Sequence, residues 1–209
     1  MKPFTFQYGG QPWPEGLSAL QVYALVDPAR DAGLASLIHG CRSAGASFPV
    51  TPVDDRWLHI TLEQITDQPA SDYSPAELDE LADSLRSHLA DIPPLSLVAG
   101  SPIANRAGVL LDLSPDDEVD TLHYRVREAV HNVRGADATN YRVLPAHLTL
   151  AYAHEEADSD LLQSRLRRVR PSHAPLTISA VHLVAVQPDH RTKQILWLPL
   201  AEIPLAEPS

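Results

Sequence analysis

The alternation of apolar and polar positions divides the chain into short strand-like runs separated by stretches of helical spacing. Leu20–Val26 (LQVYALV) reads as a strand, and Leu34, Leu37, Ile38 and Cys41 fall on one face of a helix expected over 28–45, ending at Gly45. Pro49-Val50-Thr51-Pro52 breaks the chain before a strand expected at Trp57–Glu63. Ser74-Pro75-Ala76-Glu77 has the serine, proline and glutamate of a helix start, and the helix should reach about Ala90. Two strands follow Pro93-Pro94, at Leu95–Ala99 and Gly108–Leu113. Ser114-Pro115-Asp116-Asp117 repeats the start signal for a helix to about Val133, and a loop over 135–145 leads to a strand at Ala146–Tyr152. A polar helix is expected over 158–169, then a closing hairpin of Leu176–Val186 and Gln194–Leu200 around Pro188-Asp189-His190-Arg191. Residues 1–18, rich in glycine, proline and aromatics without a period, read as an arm on the body. A helix, a loop and a histidine-bearing strand recur in each half. The order implies an α+β fold with antiparallel sheets, and no Gly-rich turn suggests a doubly wound nucleotide fold.

The two histidine strands carry the chemistry. They are Trp57-Leu58-His59-Ile60-Thr61-Leu62 and Ala146-His147-Leu148-Thr149-Leu150-Ala151, with the histidines 88 residues apart. Alternate side chains of a strand share a face. His59 with Thr61, and His147 with Thr149, therefore oppose leucine and isoleucine faces that require a core. Two imidazoles and two hydroxyls around one cleft suit phosphodiester cleavage. A neutral histidine takes a proton from the attacking oxygen, a protonated one supplies the leaving oxygen, and the threonines donate to the phosphate. No metal is needed when the second imidazole is cationic. A single His-x-Thr in a strand is most often structural; the pairing in matching apolar frames gives it weight.

These segments, taken as Arg56–Leu62 and Leu144–Tyr152, resemble the motifs of the two-histidine (2H) phosphoesterase superfamily, which includes 2′-5′ RNA ligase and cyclic phosphodiesterase-like proteins. The likeness in element order runs from the strand at 20 to the final hairpin. It implies a single bilobal, pseudo-symmetric domain over 1–209, with a motif per lobe at 59–61 and 147–149 around a central cleft. It also implies that His59 and His147 are the acid–base pair and that Thr61 and Thr149 hold the phosphate. Substrates across the superfamily include cyclic phosphates, 2′-5′ linkages and RNA ends, so the resemblance narrows the reaction more than the ligand.

Residues around the motifs are further candidate substrate contacts. Gln64 and Tyr152 lie just past the motifs, on the core side by strand parity unless the strand ends or bulges there. Trp57 and Glu63 share the His59 face by the same parity, which makes Trp57 a candidate for stacking on a base. Arg142, in the loop before the second motif, and Arg191, in the closing turn with Lys193, are candidate sources of positive charge. Arg165, Arg167, Arg168 and Arg170 read as a solvated helix end.

Composition bounds the function. Sixteen Lys and Arg against 27 Asp and Glu give a net charge of −11. Residues 61–120 hold only Arg86 and Arg106 as cations beside thirteen acids. Such a surface grips long nucleic acid poorly, which leaves a small nucleotide or RNA-end phosphodiester as the expected ligand. One cysteine, Cys41, rules out an internal disulfide framework and reads as a core residue. No H-E-x-x-H or G-x-S-x-G occurs, and no metal or cofactor is expected. No apolar run suits a signal peptide or a membrane span, so the default expectation is a cytoplasmic protein. Oligomeric state is not legible. The leading reading is a metal-independent phosphodiesterase acting on a 2′,3′-cyclic nucleotide or a short 2′-5′ oligonucleotide. The alternatives are a non-catalytic nucleotide or RNA-end binding module and RNA end-joining.

Overall fold

The computed structural model describes residues 1–140 and 145–206. In chain order the elements are β1 (Gln7–Tyr8), β2 (Gln11–Pro12), β3 (Ala19–Leu25), α1 (Ala32–Gly45), β4 (Val50–Pro52), β5 (His59–Ile65) and α2 (Pro75–Leu89). There follow β6 (Leu95–Ala104), β7 (Gly108–Ser114), α3 (Asp116–Arg134), β8 (His147–Ala153), α4 (Ser159–Leu166), β9 (Ala174–Ile178), β10 (Ala180–Asp189) and β11 (Gln194–Pro204). Strands β1 and β2 form a small hairpin within the arm. The others form two antiparallel sheets, one ordered β11-β10-β3-β5 and the other β4-β8-β7-β6-β9. The fold is mixed helix and antiparallel sheet, and each sheet holds one His-x-Thr strand.

The helices cross between the halves. α1 follows β3 of the four-stranded sheet, yet packs with α4 on the five-stranded one. α3 follows β7 of the five-stranded sheet and packs with α2 behind β5 and β11 of the other. This exchange draws both sheets into one continuous core that includes Leu37, Ile60, Leu62, Val126, Leu148 and Leu183. The outer face of each motif strand, read as apolar, is what that core buries. Among the described residues no helix is long and apolar enough to cross a membrane.

Local signals act largely as their chemistry dictates. Ser74 and Glu77 form a reciprocal capping box, with Pro75 in the first turn of α2. The first helix begins later than its spacing suggests. Pro28–Arg30 is a single 3-10 turn, and Asp31 then caps α1 by accepting from the Leu34 amide at 2.8 Å. The start of α3 also differs, because Ser114 is spent as the last residue of β7. Pro115 takes the cap position without a side-chain bond, and Asp116, Asp117 and Glu118 supply negative charge to the first turn.

Three departures are larger. Val50–Pro52, expected as a break, is an edge strand paired with β8, where proline's missing N–H costs nothing. The single strand expected over 176–186 is two strands divided at Ser179: β9 pairs with β6 in one sheet, and β10 pairs with β3 in the other. The expected hairpin is therefore β10 with β11, its turn braced by Asp189, which accepts from the amides of Arg191 and Thr192. The strand expected from Trp57 starts at His59, since Asp55–Trp57 is a 3-10 turn.

Candidate active site

Both motif strands slip by one residue immediately after the threonine. On β5, Thr61 pairs with Tyr23 and Glu63 with Val22, which leaves Leu62 as the extra residue. On β8, Thr149 pairs with Leu110 and Ala151 with Val109, which leaves Leu150 extra. A bulge of this kind reverses the side-chain alternation downstream. Gln64 and Tyr152 consequently join the histidine face, contrary to unbroken parity, and both line the cleft. Glu63 moves the other way. It is 0% exposed behind β5, where Arg127 Nε donates to it at 2.6 Å and His123 Nε2 lies 3.4 Å away. The parity reading that put Glu63 beside His59 is corrected by the bulge.

The second bulge depends on Gly108, which pairs with Tyr152 at φ +150°. A Cβ there would lie on the Ala151 carbonyl oxygen. Gly108→Ala is expected to destabilise the fold by roughly 2 kcal/mol through backbone strain and overpacking, measured as a drop in Tm. A Tm equal to wild type would show that β8 tolerates another register.

The two imidazoles are held alike. His59 Nδ1 is 2.8 Å from the Trp57 carbonyl oxygen, and His147 Nδ1 is 2.8 Å from that of Pro145. A carbonyl only accepts, so Nδ1 carries the proton in each ring, and Nε2 of the neutral ring is the free basic atom. Both rings line a single cleft of about 680 Å³ with Thr61 and Thr149. Their environments differ. His59 is 9% exposed and stacks on Tyr23, with centroids 4.1 Å apart and planes at 13°. Burial lowers its pKa to about 4, the Trp57 carbonyl opposes that, and the charge on His147 adds to it. His147 is half-buried. Its partner across the β7–β8 ladder is Asp112, which also lines the cleft.

The arm forms one wall. Gln64 holds it on one side: the Gly9 amide donates to its Oε1 at 3.1 Å, and its Nε2 donates to the Gln7 carbonyl. Tyr152 holds it on the other, with the Phe4 ring stacked 4.6 Å above and Phe6 edge-on at 5.5 Å. The residues turned by the two bulges thus anchor one segment, one in each sheet. Burial raises the Tyr152 phenol well above its ordinary range, and the Thr149 hydroxyl tempers the rise.

The other candidates lie elsewhere. The Trp57 indole packs edge-on against Trp197 at 5.3 Å, outside the cleft lining, because its residue belongs to the turn before β5. Arg191 is exposed in the β10–β11 turn and does not line the cleft. Arg142 falls outside the described residues. Among the described residues, the cations that line the cleft are Lys2, in the arm, and Arg106, between β6 and β7. Sequence reasoning missed both, along with Tyr23 and Phe4, since only tertiary packing brings the arm and that turn to the motifs. Among the described residues no three His, Cys, Asp or Glu side chains cluster as a metal site.

Comparison with known proteins agrees with this arrangement at the level of fold and family. The structure resembles that of TT0787 of Thermus thermophilus, with TM-score 0.67 and 15% identity over 90% of this chain and 98% of that one. It resembles E. coli LigT complexed with NADP+, with TM-score 0.59 and 16% identity over 92% and 99%. E. coli LigT complexed with 3′-AMP gives TM-score 0.59 and 16% identity over 90% and 98%. No curated protein matches the sequence. The model of one family does match, over residues 27–190, a span that contains both histidine strands, and on that match the chain belongs to the 2′-5′ RNA ligase superfamily.

Proposed function

We propose that the protein is a phosphodiesterase for small nucleotide phosphodiesters, with a 2′,3′-cyclic nucleotide or a short 2′-5′ oligonucleotide as substrate. The observation that carries this reading is the pair of imidazoles in one cleft, each with Nδ1 committed to a carbonyl and Nε2 left for chemistry. Family membership and the nucleotides held by LigT support the substrate class.

His59, neutral at pH 7 because its pKa is depressed to about 4, is the base. Its Nε2 takes a proton from water as the water oxygen bonds to phosphorus. His147 acts as the acid and protonates the ribose oxygen as the P–O bond breaks, which opens the ring to a monoester. Thr61 and Thr149 donate to the non-bridging oxygens. With protonated His147 they offset the charge that builds on the phosphoryl group. The 1–209 chain acts in this reading as one bilobal unit, since each sheet supplies half of the set.

The test is turnover of the four 2′,3′-cyclic mononucleotides with EDTA present. Monoester product at a rate unchanged by EDTA is the expected result. Complete loss with EDTA would refute the metal-free route. No product from these or from 2′-5′ dinucleotides would replace the enzyme with a nucleotide-binding module.

A further inference from the structure

The cleft holds positive charge that the two motifs do not use. Lys2 and Arg106 line it, and neither side chain has a hydrogen bond or ion pair among the described residues. Arg42, Arg86 and Arg134, by contrast, are each paired with an acid. What sets them apart from the other unpaired cations is that both line the same cleft, in a chain of net charge −11.

They come from distant segments whose backbones meet. The Lys2 amide donates to the Arg106 carbonyl at 2.8 Å. Next along the arm, the Phe4 amide donates to the Ala153 carbonyl at 2.8 Å, beside the stack of Phe4 on Tyr152. The turn carrying Arg106 is braced by Asn105, whose Oδ1 accepts from the amides of Ala107 and Gly108 at 2.8 and 3.0 Å. The backbone beneath both cations is thus set before any ligand arrives, which limits the ordering cost of binding.

Charge is also graded along the cleft. Asp112, Leu110 and Gly108 share its face on β7, and Arg106 follows in the turn. Asp112 is opposite His147, and Leu110 is opposite Thr149. Arg106 precedes Leu110 by four residues, at most about 13 Å of extended chain. The two cations therefore lie past Tyr152, toward the end of the cleft away from Asp112 and His147, where a second anionic group of the ligand would meet them.

We propose that Lys2 and Arg106 form an anion subsite for a second phosphate of the substrate. The substrate class is then a nucleotide or short oligonucleotide with a phosphate beyond the one being cleaved. The proposal rests on the phosphodiesterase reading for the identity of the substrate, while the cation pair itself rests on geometry. Lys2 lies outside the span matched by the family, and Arg106 lies within it.

The test compares the affinity of adenosine 3′,5′-bisphosphate and 3′-AMP by calorimetry at low salt, for the full chain and for the Lys2→Gln/Arg106→Gln double variant. Both substituted side chains are exposed, so the variant should fold. The wild type is expected to bind the bisphosphate about tenfold more tightly, and the variant should reduce that ratio to within about twofold. A ratio near one in the wild type, a ratio kept in the variant, or no binding of either nucleotide would overturn the subsite. Turnover of 2′,3′-cyclic AMP in the same samples judges the catalytic reading separately, because the affinity ratio needs no chemistry.

Discussion

Alanine at either His59 or His147 is expected to lower kcat/KM toward 2′,3′-cyclic AMP by about 10²–10⁴-fold, the range for removing a positioned acid or base. Each loss should approach that of the double variant, because one half of a proton relay does little without the other. His147 is half-buried, so its variant should melt like the wild type. His59 is stacked on Tyr23, and a melting curve must accompany its kinetics. The pH profile sharpens the assignment. A base held at about pKa 4 stays neutral well below the ordinary imidazole value. The acid limb of kcat/KM should therefore fall near pH 4 and not near the ordinary imidazole value of 6.5. The His147 charge contributes to that depression, so NMR titration of His59 in His147→Ala should show its pKa moved upward. Full activity in either alanine variant would remove the two-histidine mechanism.

The second large effect is on stability. Arg127→Ala is expected to cost about 3 kcal/mol, because it leaves the buried Glu63 carboxylate with a histidine and one amide. For a chain of this length that corresponds to a Tm lower by roughly 6–12 °C. Burial alone would raise the Glu63 pKa, but bonds from His123, Arg127 and the Gln64 amide outweigh it and hold the carboxyl below its usual range. A carboxyl depressed in this way stabilises the fold above its unfolded pKa, and that contribution fades as pH falls through the folded value. The gap between wild type and variant should therefore be widest at neutral pH and narrow under acid conditions. A gap independent of pH would mean that Arg127 acts through packing and not through charge.

The motifs and most elements are legible in the sequence because they rest on local rules. His59-Ile60-Thr61 and His147-Leu148-Thr149 follow the two-residue period, and Ser74 with Glu77 is a complete capping box within four residues. The bulges are not legible, since parity counting has no means of registering an extra Leu62 or Leu150. For the same reason parity assigns Glu63 to the histidine face, and Gln64 and Tyr152 to the core face. The division at Ser179 is hidden because β9 and β10 both read as buried strand, and only pairing reveals that they serve different sheets. Lys2, Phe4 and Arg106 reach the cleft through contacts between segments far apart in sequence, which no local pattern encodes.

The paired bulges have a consequence for how such a cleft can change over time. Each motif strand is cut into two functional lengths by its extra leucine: the stretch before it presents imidazole and hydroxyl, and the stretch after it grips the arm. Substitution at Gln64 or Tyr152 can then remodel the wall while the reacting groups keep their place, and a new arm can be fitted to an old reaction. On the proposed function, chemistry and ligand choice become separately heritable traits, divided in each half of the molecule at a single residue.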